Sequence, residues 1–133
     1  MHSIGIDIGS TSAKVAVIEA SSGEIKELFL LPTGWSSADT AMLIKERVLA
    51  LGLGELYFVA TGYGRVLVPY ADKTLTEITC HALGAHYFCK SDCTVIDVGG
   101  QDTKAIKLEN GSVMDFTMND KCSAGTGKFL EVM

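Results

Sequence analysis

The chain has few of the features that mark fibrous, disordered or membrane proteins. Its 133 residues include two prolines and one tryptophan, and 47% of them are hydrophobic, a composition that excludes collagen-like, mucin-like and disordered chains. No apolar run approaches the roughly 18 residues that a membrane-spanning helix needs. Asp7 also interrupts the apolar amino terminus before a signal-peptide core forms. We therefore expect one ordinary soluble domain in the cytoplasm.

Basic residues are scarce as well. The chain carries 11 Lys and Arg against 16 Asp and Glu, which gives a formal net charge of −5. Nucleic acids and anionic membranes carry charge of the same sign, so neither gains from the electrostatic field of this protein. The charge balance therefore argues against a nucleic-acid or membrane partner.

Cysteines are few, and their spacing forms no complete metal-binding pattern. The four are Cys80, Cys89, Cys93 and Cys122. In a cytoplasmic protein, free thiols or a metal or redox role are favoured over disulfides. The spacing of Cys89 and Cys93 suits a zinc site, but no second close pair supplies the remaining ligands. We interpret these two as small structural thiols at a helix end and a strand start.

The order of hydrophobic patterns predicts a mixed α/β chain, with an antiparallel hairpin first and parallel crossovers after it. Strands are expected at residues 4–9, 13–19, 24–31, 56–60, 94–98, 104–108 and 113–118, and helices at 39–51 and 75–87. Residues 127–133 have the pattern of a helix that has begun, with no stop signal after it. We therefore expect the sequence to be a fragment.

One motif occurs twice, at residues 7–14 (DIGSTSAK) and 97–104 (DVGGQDTK). Each copy has an Asp inside a buried strand, then a glycine turn, then a Lys on the returning strand, and we call the copies the first and second Asp–Gly hairpins. An unpaired buried carboxylate is costly, and a glycine-rich turn offers backbone N–H groups to anions. A Mg²⁺-bound polyphosphate satisfies both features. A hairpin whose Asp merely caps its own turn is the alternative for either copy alone, and the repetition disfavours it.

Other nucleotide-binding signatures are missing from the sequence. No stretch has the spacing of a Walker-type P-loop. No glycine-rich turn leads from a strand into a helix with the spacing of a dinucleotide-binding fold.

The two Asp–Gly hairpins, together with residues 61–65 (TGYGR), 77–82 (EITCHA) and 119–127 (NDKCSAGTG), resemble one family. It comprises the activators of 2-hydroxyacyl-CoA dehydratases and the ATPase subunits of benzoyl-CoA reductases, within the actin, Hsp70 and sugar kinase superfamily. The resemblance covers essentially the whole chain. It implies an α/β, ribonuclease H-like fold with a mixed sheet, an antiparallel hairpin at its start and flanking helices.

The resemblance also implies a domain assignment and an activity. Residues 1–133 would be an amino-terminal ATPase domain that is truncated before the second domain. Members of the family are homodimers that hydrolyse ATP and pass one low-potential electron from a shared [4Fe–4S] cluster to an acyl-CoA dehydratase or reductase. The electron donor would be a ferredoxin or flavodoxin. Cys122 matches one cluster ligand, in a loop that enters a helix, and the second ligand lies beyond this sequence.

The same resemblance assigns roles within the two hairpins. Asp7 and Asp97 would bind Mg²⁺, with Asp7 counted as catalytic. The residues expected to cradle nucleotide phosphates are Gly9, Ser10, Thr11, Ser12, Lys14, Gly99, Gly100, Gln101 and Lys104. Gln101 would also align the attacking water.

Two other functions stay open at this point, a sugar or acetate-type kinase and a non-catalytic actin-like assembly module. A kinase needs a carboxylate base, for which Asp72 and Asp102 are the available candidates. On the second predicted helix, Glu77 and His81 lie one turn apart and are expected to pair with each other or with the neighbouring loop rather than to bind a metal. The sequence assigns no role to the TGYGR loop.

Overall fold

A computed structural model describes residues 1–119 of the chain. The chain divides into two compact units, Met1–Thr76 and Glu77–Met133. The assignment of residues 1–133 to one amino-terminal domain stays a prediction.

The first unit is a five-stranded mixed sheet with one α-helix. Its elements are β1 (His2–Ile8), β2 (Ser12–Glu19), β3 (Ile25–Pro32), α1 (Ser37–Leu49), β4 (Leu56–Thr61), a short 3-10 helix (Arg65–Leu67) and β5 (Lys73–Thr74). The strand order is β3-β2-β1-β4-β5. β1–β2 and β2–β3 pair antiparallel, whereas β1–β4 and β4–β5 pair parallel. The predicted hairpin and the parallel crossover to β4 are confirmed, while the 3-10 helix and β5 were not predicted.

The hydrophobic core of the first unit covers one face of β1 and leaves the opposite face for polar side chains such as Asp7. Ile4, Ile6 and Ile8 are fully buried and belong to one hydrophobic cluster with Ile44 and Val48 of α1. Each such side chain contributes about 1.5–3 kcal/mol on burial. Because side chains alternate along a strand, the odd-numbered residues of β1 lie on the opposite face of the sheet.

The described part of the second unit, up to residue 119, pairs one helix with an antiparallel sheet. Its described elements are α2 (Glu77–Cys89), β6 (Cys93–Val98), β7 (Thr103–Glu109) and β8 (Ser112–Asn119), with strand order β6-β7-β8. Ala82 of α2 is buried with Ile106 and Leu108 of β7. Asn110 and Gly111 both have positive φ (52° and 75°), as a tight hairpin turn requires.

The predicted parallel crossover into β6 is wrong for the part of the chain that the structure describes. There β6 belongs to a separate sheet from β1, whereas its antiparallel pairing with β7 confirms the predicted second hairpin. The pattern of a helix followed by a buried strand is the same in both arrangements, because hydrophobic periodicity does not specify a strand's partner. The two α-helices among the described residues have 13 residues each. No helix within residues 1–119 is long and apolar enough to span a membrane.

Candidate functional site

The first Asp–Gly hairpin turns tightly between β1 and β2. The N–H of Gly9 donates to the carbonyl of Ser12 (3.0 Å), which closes a loop tipped by Ser10 and Thr11, both exposed. A Cβ at Gly9 would lie 3.1 Å from both Lys14 Nζ and the Ser12 carbonyl oxygen. A larger residue at this position would therefore crowd the turn.

Thr33 braces this turn from the end of β3. Its hydroxyl donates to the carbonyl of Gly9 (2.8 Å), and its N–H donates to the carbonyl of Thr11 (3.1 Å). The carbonyl of Thr33 in turn accepts from the hydroxyl of Thr40 (2.6 Å), and both threonines are buried. No sequence pattern predicts this role, because a threonine after a strand-ending proline gives no signal for a contact 24 residues away.

Asp7 lies at the centre of a polar row across three strands. It is paired in register with Lys14 on β2 and with Thr61 on β4, so all three residues lie on one face of the sheet. Lys14 Nζ donates to Asp7 Oδ2 at 3.3 Å, and the Lys14 side chain is 48% exposed. Exposed ion pairs of this kind contribute about 0–1 kcal/mol. Lys14 is therefore able to exchange Asp7 for another anion.

The TGYGR loop packs directly on the end of β1. Gly62 has φ +88°, and a Cβ there would collide with Asp7 Oδ1 and with the carbonyl oxygen of Ile8. The N–H of Gly64 donates to the same Ile8 carbonyl (3.0 Å), and the Arg65 guanidinium donates to the carbonyl of Gly62 (3.0 Å). Only glycine satisfies both the positive φ and the close approach at position 62. The loop thus sets the position of the Asp7 carboxylate.

Thr61, the first residue of this loop, holds an unsatisfied buried group. Its hydroxyl oxygen is buried and finds no hydrogen-bond partner within the described part of the chain. Buried hydroxyls are normally hydrogen-bonded, and one left unpaired costs about 1–3 kcal/mol. Thr61 lies beside Asp7 in register, which fits a site completed by the water shell or oxygens of a bound ligand.

The second Asp–Gly hairpin closes in the same way between β6 and β7. The N–H of Gly99 donates to the carbonyl of Asp102 (2.8 Å), and Gly100 and Gln101 form the tip. Gln101 is exposed. A Cβ at Gly99 would lie 2.8 Å from Asp102 Oδ1, so a larger residue would have to displace the carboxylate that Lys104 binds.

The two hairpins therefore repeat one geometry. Each places its Asp directly opposite its Lys, in the pairs Asp7–Lys14 and Asp97–Lys104. In each, the glycine two residues after the Asp donates its N–H to the carbonyl three residues further on. The predicted repetition of one hairpin is confirmed as a structural feature. The metal, phosphate and catalytic roles of its residues stay predictions.

Lys104 lies among three carboxylates. Its Nζ is 2.9 Å from Asp102 Oδ1, 3.2 Å from Glu77 Oε2 and 3.6 Å from Asp97 Oδ2, and its side chain is 4% exposed. Burial lowers the pKa of Lys104, but the hydrogen bonds to Asp102 and Glu77 raise it by more than burial lowers it. The pKa of Lys104 therefore lies above its ordinary value. The positive charge of Lys104 is thus paired with these carboxylates, whereas the family resemblance implied that Lys104 binds phosphate.

His81 contacts the predicted metal ligand of the second hairpin. Its Nδ1 is 2.8 Å from Asp97 Oδ2, and since an ionised carboxylate only accepts hydrogen bonds, Nδ1 carries the hydrogen. Glu77 and His81, one turn apart on α2, thus bind Lys104 and Asp97 of the second hairpin. The sequence placed them on one helix face but did not identify these partners.

The two candidate kinase bases are held by other groups. Asp72 Oδ2 accepts from the backbone N–H of Phe58 (2.7 Å), and Asp102 Oδ1 accepts from Lys104 Nζ (2.9 Å). Both carboxylates therefore have structural partners, which disfavours a small-molecule kinase.

The described cysteines form no metal centre. Cys80, Cys89 and Cys93 form no disulfide within the described residues, and burial together with the neighbouring Cys89 raises the pKa of Cys93. Within residues 1–119, no group of three or more His, Cys, Asp or Glu side chains is arranged to hold a metal ion. Mg²⁺ often uses only one or two carboxylates and keeps several waters, so a single Asp such as Asp7 or Asp97, each considered within its own unit, fits that requirement. Cys122, the predicted cluster ligand, lies outside the described residues.

Comparison with known proteins identifies relatives of the chain. It is 43% identical over 136 residues to the activator of lactoyl-CoA dehydratase from Anaerotignum propionicum, a match that covers 100% of this chain and 52% of that protein. The solved structure of the Acidaminococcus fermentans (R)-2-hydroxyglutaryl-CoA dehydratase component A matches with a TM-score of 0.87 and 42% identity, over 100% of this chain and 52% of that one.

A second solved structure is the activator of the 2-hydroxyisocaproyl-CoA dehydratase from Clostridium difficile with bound ADPNP. It matches with a TM-score of 0.86 and 38% identity, over 100% of this chain and 51% of that one. The chain thus spans about half the length of these relatives, and their structures confirm the predicted fold class. The sequence profile of the BadF/BadG/BcrA/BcrD ATPase family matches residues 4–133. The chain belongs to the BadF/BadG/BcrA/BcrD ATPase family.

Proposed function

We propose that this chain supplies the phosphate-binding side of an ATP site. The whole protein would hydrolyse ATP to drive low-potential single-electron transfer to an acyl-CoA dehydratase or reductase. The observation that carries the proposal is the repeated geometry of the two Asp–Gly hairpins. A half-buried Asp opposite a Lys, beside a glycine-closed turn, occurs once in each compact unit.

The residues of the first hairpin suit a magnesium-bound polyphosphate. Ser10 and Thr11 present hydroxyls and backbone N–H groups at the exposed tip of the turn, where phosphate oxygens can accept from them. Asp7 would hold Mg²⁺ through its waters, and the bound ion would supply charge neutralisation at the phosphates. Lys14 is exposed and only weakly tied to Asp7, so it is free to turn toward the ligand.

In the second hairpin, Asp97 is the proposed metal-binding carboxylate and Gln101 the residue that orients the attacking water. Gln101 suits this role because its amide stands exposed at the tip of the turn and can hold a water without deprotonating it. Gly100 offers its backbone N–H to phosphate, and Gly99, whose own N–H closes the turn on the Asp102 carbonyl, adds no side chain to obstruct the ligand. We assign Lys104 a different part, the neutralisation of the surrounding carboxylates, because its charge is buried among them.

The identities of the relatives support the activator part of the proposal. Two are named as activators of 2-hydroxyacyl-CoA dehydratases, and one of these carries ADPNP in its solved structure. A more distant relative, 29% identical over 135 residues, belongs to the benzoyl-CoA reductase of Thauera aromatica. We therefore propose an acyl-CoA dehydratase or reductase as the partner enzyme.

The family resemblance extends the proposal to the redox centre. The full-length protein would be a cytoplasmic homodimer with one [4Fe–4S] cluster between its subunits, Cys122 as one of the cluster ligands, and a ferredoxin or flavodoxin as electron donor. Thiolates are the usual ligands of such clusters.

The test uses full-length protein prepared without oxygen. We expect Mg²⁺-dependent ATP hydrolysis, bound iron and iron–sulfur absorbance in the wild type. Gln101→Ala is expected to lower the hydrolysis rate by roughly 10²-fold, the scale for losing one transition-state contact, while Ser91→Ala, in another exposed loop, keeps the normal rate.

The outcomes separate the parts of the proposal. Normal hydrolysis by Gln101→Ala would remove its assigned role. A protein without iron would exclude the electron-transfer function while leaving the ATPase intact. Phosphate transfer to a sugar or to acetate would identify a kinase, and nucleotide-dependent polymers without electron transfer would identify an assembly module.

A further inference from the structure

We infer that His81 is a positioning residue for Asp97, which it orients for cation binding through a hydrogen bond from α2. The inference rests on the proposed function, because it takes Asp97 as a magnesium-binding carboxylate. It assigns His81 no contact with the nucleotide or the metal.

The contacts of Asp97 divide unequally between its two neighbours. His81 Nδ1 lies 2.8 Å from Asp97 Oδ2, whereas Lys104 Nζ lies 3.6 Å from the same oxygen. The first distance is a hydrogen bond and the second only an ion pair. Since both contacts fall on Oδ2, they leave Oδ1 as the oxygen to bind a cation or its water.

Lys104 is not able to orient Asp97 by itself. Its two hydrogen bonds go to Asp102 (2.9 Å) and Glu77 (3.2 Å). Its charge neutralises the cluster, but a charge at 3.6 Å sets no direction for the carboxylate plane. The directional contact to Asp97 comes from the His81 ring.

α2 holds the His81 ring in place. Glu77, at the first residue of the helix, binds Lys104 of β7, and Ala82, next to His81, is buried against the sheet. The helix is therefore fixed to the second hairpin on both sides of His81. Groups that hold a metal-binding side chain in this manner typically change metal affinity by about 10–100-fold when they are removed.

The experiment measures metal binding rather than turnover. Mn²⁺ replaces Mg²⁺, and the electron paramagnetic resonance signal of free Mn²⁺ reports its affinity for the full-length protein with ADPNP present. We expect His81→Ala to weaken Mn²⁺ binding by about 10–100-fold. His81→Asn is expected to stay close to wild type, because its amide N–H occupies the position of Nδ1–H.

Two further variants control for helix and fold. His86→Asn makes the same substitution one to two turns along α2, away from Asp97, and should keep wild-type affinity. His81→Gln places its amide further out, so it should bind Mn²⁺ more weakly than His81→Asn. If His81→Ala fails to fold, the comparison of His81→Asn with His81→Gln tests the role of His81. Equal Mn²⁺ affinities of these two variants would overturn the inference.

Asp97→Ala separates this inference from the proposed function. Loss of Mn²⁺ binding in Asp97→Ala, together with unchanged binding in His81→Ala, would overturn the role of His81 and leave the proposed function standing. Absence of ADPNP-dependent Mn²⁺ binding in the wild type would overturn both.

Discussion

The backbone of Gly62 lies against the carboxylate of Asp7, with no space between them for a side chain. A Cβ at Gly62 would collide with Asp7 Oδ1 and the Ile8 carbonyl oxygen, and φ at Gly62 is +88°. A loop that follows β4 thus determines where a carboxylate on β1 points. Substitutions in this loop should act on metal binding as well as on stability.

Gly62→Ala should destabilise the protein and weaken Mn²⁺ binding together. A positive φ strains any L-residue by about 1–3 kcal/mol, and the added methyl group must also displace Asp7 or Ile8. Gly54→Ala is the matched control, because Gly54 has φ +74° but open space around its Cβ position. Denaturant unfolding and Mn²⁺ titration should show the strain in both variants and the loss of Mn²⁺ affinity in Gly62→Ala alone. Equal behaviour of the two would contradict the packing argument.

Thr61→Val should stabilise the ligand-free protein. The substitution removes a buried hydroxyl that has no partner among the described residues, and relief of that desolvation is expected to raise the free energy of unfolding by about 1 kcal/mol. Thr33→Val serves as the comparison, since it removes a hydrogen bond to Gly9 and should lower that free energy by about 1 kcal/mol. Urea unfolding measures both. In addition, we expect Thr61→Val to bind Mg²⁺–ADPNP more weakly than wild type, and unchanged affinity would argue against a ligand at this hydroxyl.

Lys104→Met should be strongly destabilising. It removes the positive charge from a buried cluster and leaves Asp97, Asp102 and Glu77 without it, a change that typically costs about 3–5 kcal/mol. Lys14→Met removes the corresponding lysine of the first hairpin, which is exposed, and should cost at most about 1 kcal/mol. Denaturant unfolding at neutral pH compares them. Similar losses of unfolding free energy in Lys104→Met and Lys14→Met would show that the burial of Lys104 does not increase its contribution to stability.

The stabilising effect of Lys104 should disappear at alkaline pH. The pKa of Lys104 is raised in the folded protein above its ordinary value of 10.5, so the folded state holds this proton more tightly than the unfolded state. The stabilisation is complete below pH 10.5 and decreases as the pH rises through the folded-state pKa. The difference in unfolding free energy between wild type and Lys104→Met should therefore narrow above that pH. A difference in unfolding free energy that widens above pH 10.5 would contradict a raised pKa of Lys104 in the folded protein.

The sequence predicts most local elements but few of the contacts that build the site. Alternating residues around a glycine turn identify the β1–β2 hairpin because strand periodicity and turn chemistry are local signals. The contacts of Thr33 with Gly9 and of His81 with Asp97 join residues 24 and 16 positions apart. Polar partners of that kind follow from tertiary packing, which periodicity does not encode.

The neighbour of β6 illustrates the same limit for the fold. A helix followed by a buried strand predicted a parallel crossover into β6, but among residues 1–119 the strand lies in a separate sheet. The antiparallel pairing of β6 with β7, which the second Asp–Gly hairpin predicted, is confirmed. The Asp–Gly turn after β6 carried the correct information, since a tight turn between two strands makes them adjacent and antiparallel. The repeated motif was therefore a better guide to the topology than the order of helices and strands.

The two hairpin lysines, equivalent in register, differ in their chemistry toward external reagents. The side chain of Lys14 is 48% exposed and that of Lys104 is 4% exposed, and the raised pKa of Lys104 further reduces its fraction of reactive free amine. An amine-directed acylating agent therefore reaches Lys14 and leaves Lys104 unmodified. Covalent labelling thus distinguishes two copies of a motif whose sequences are similar.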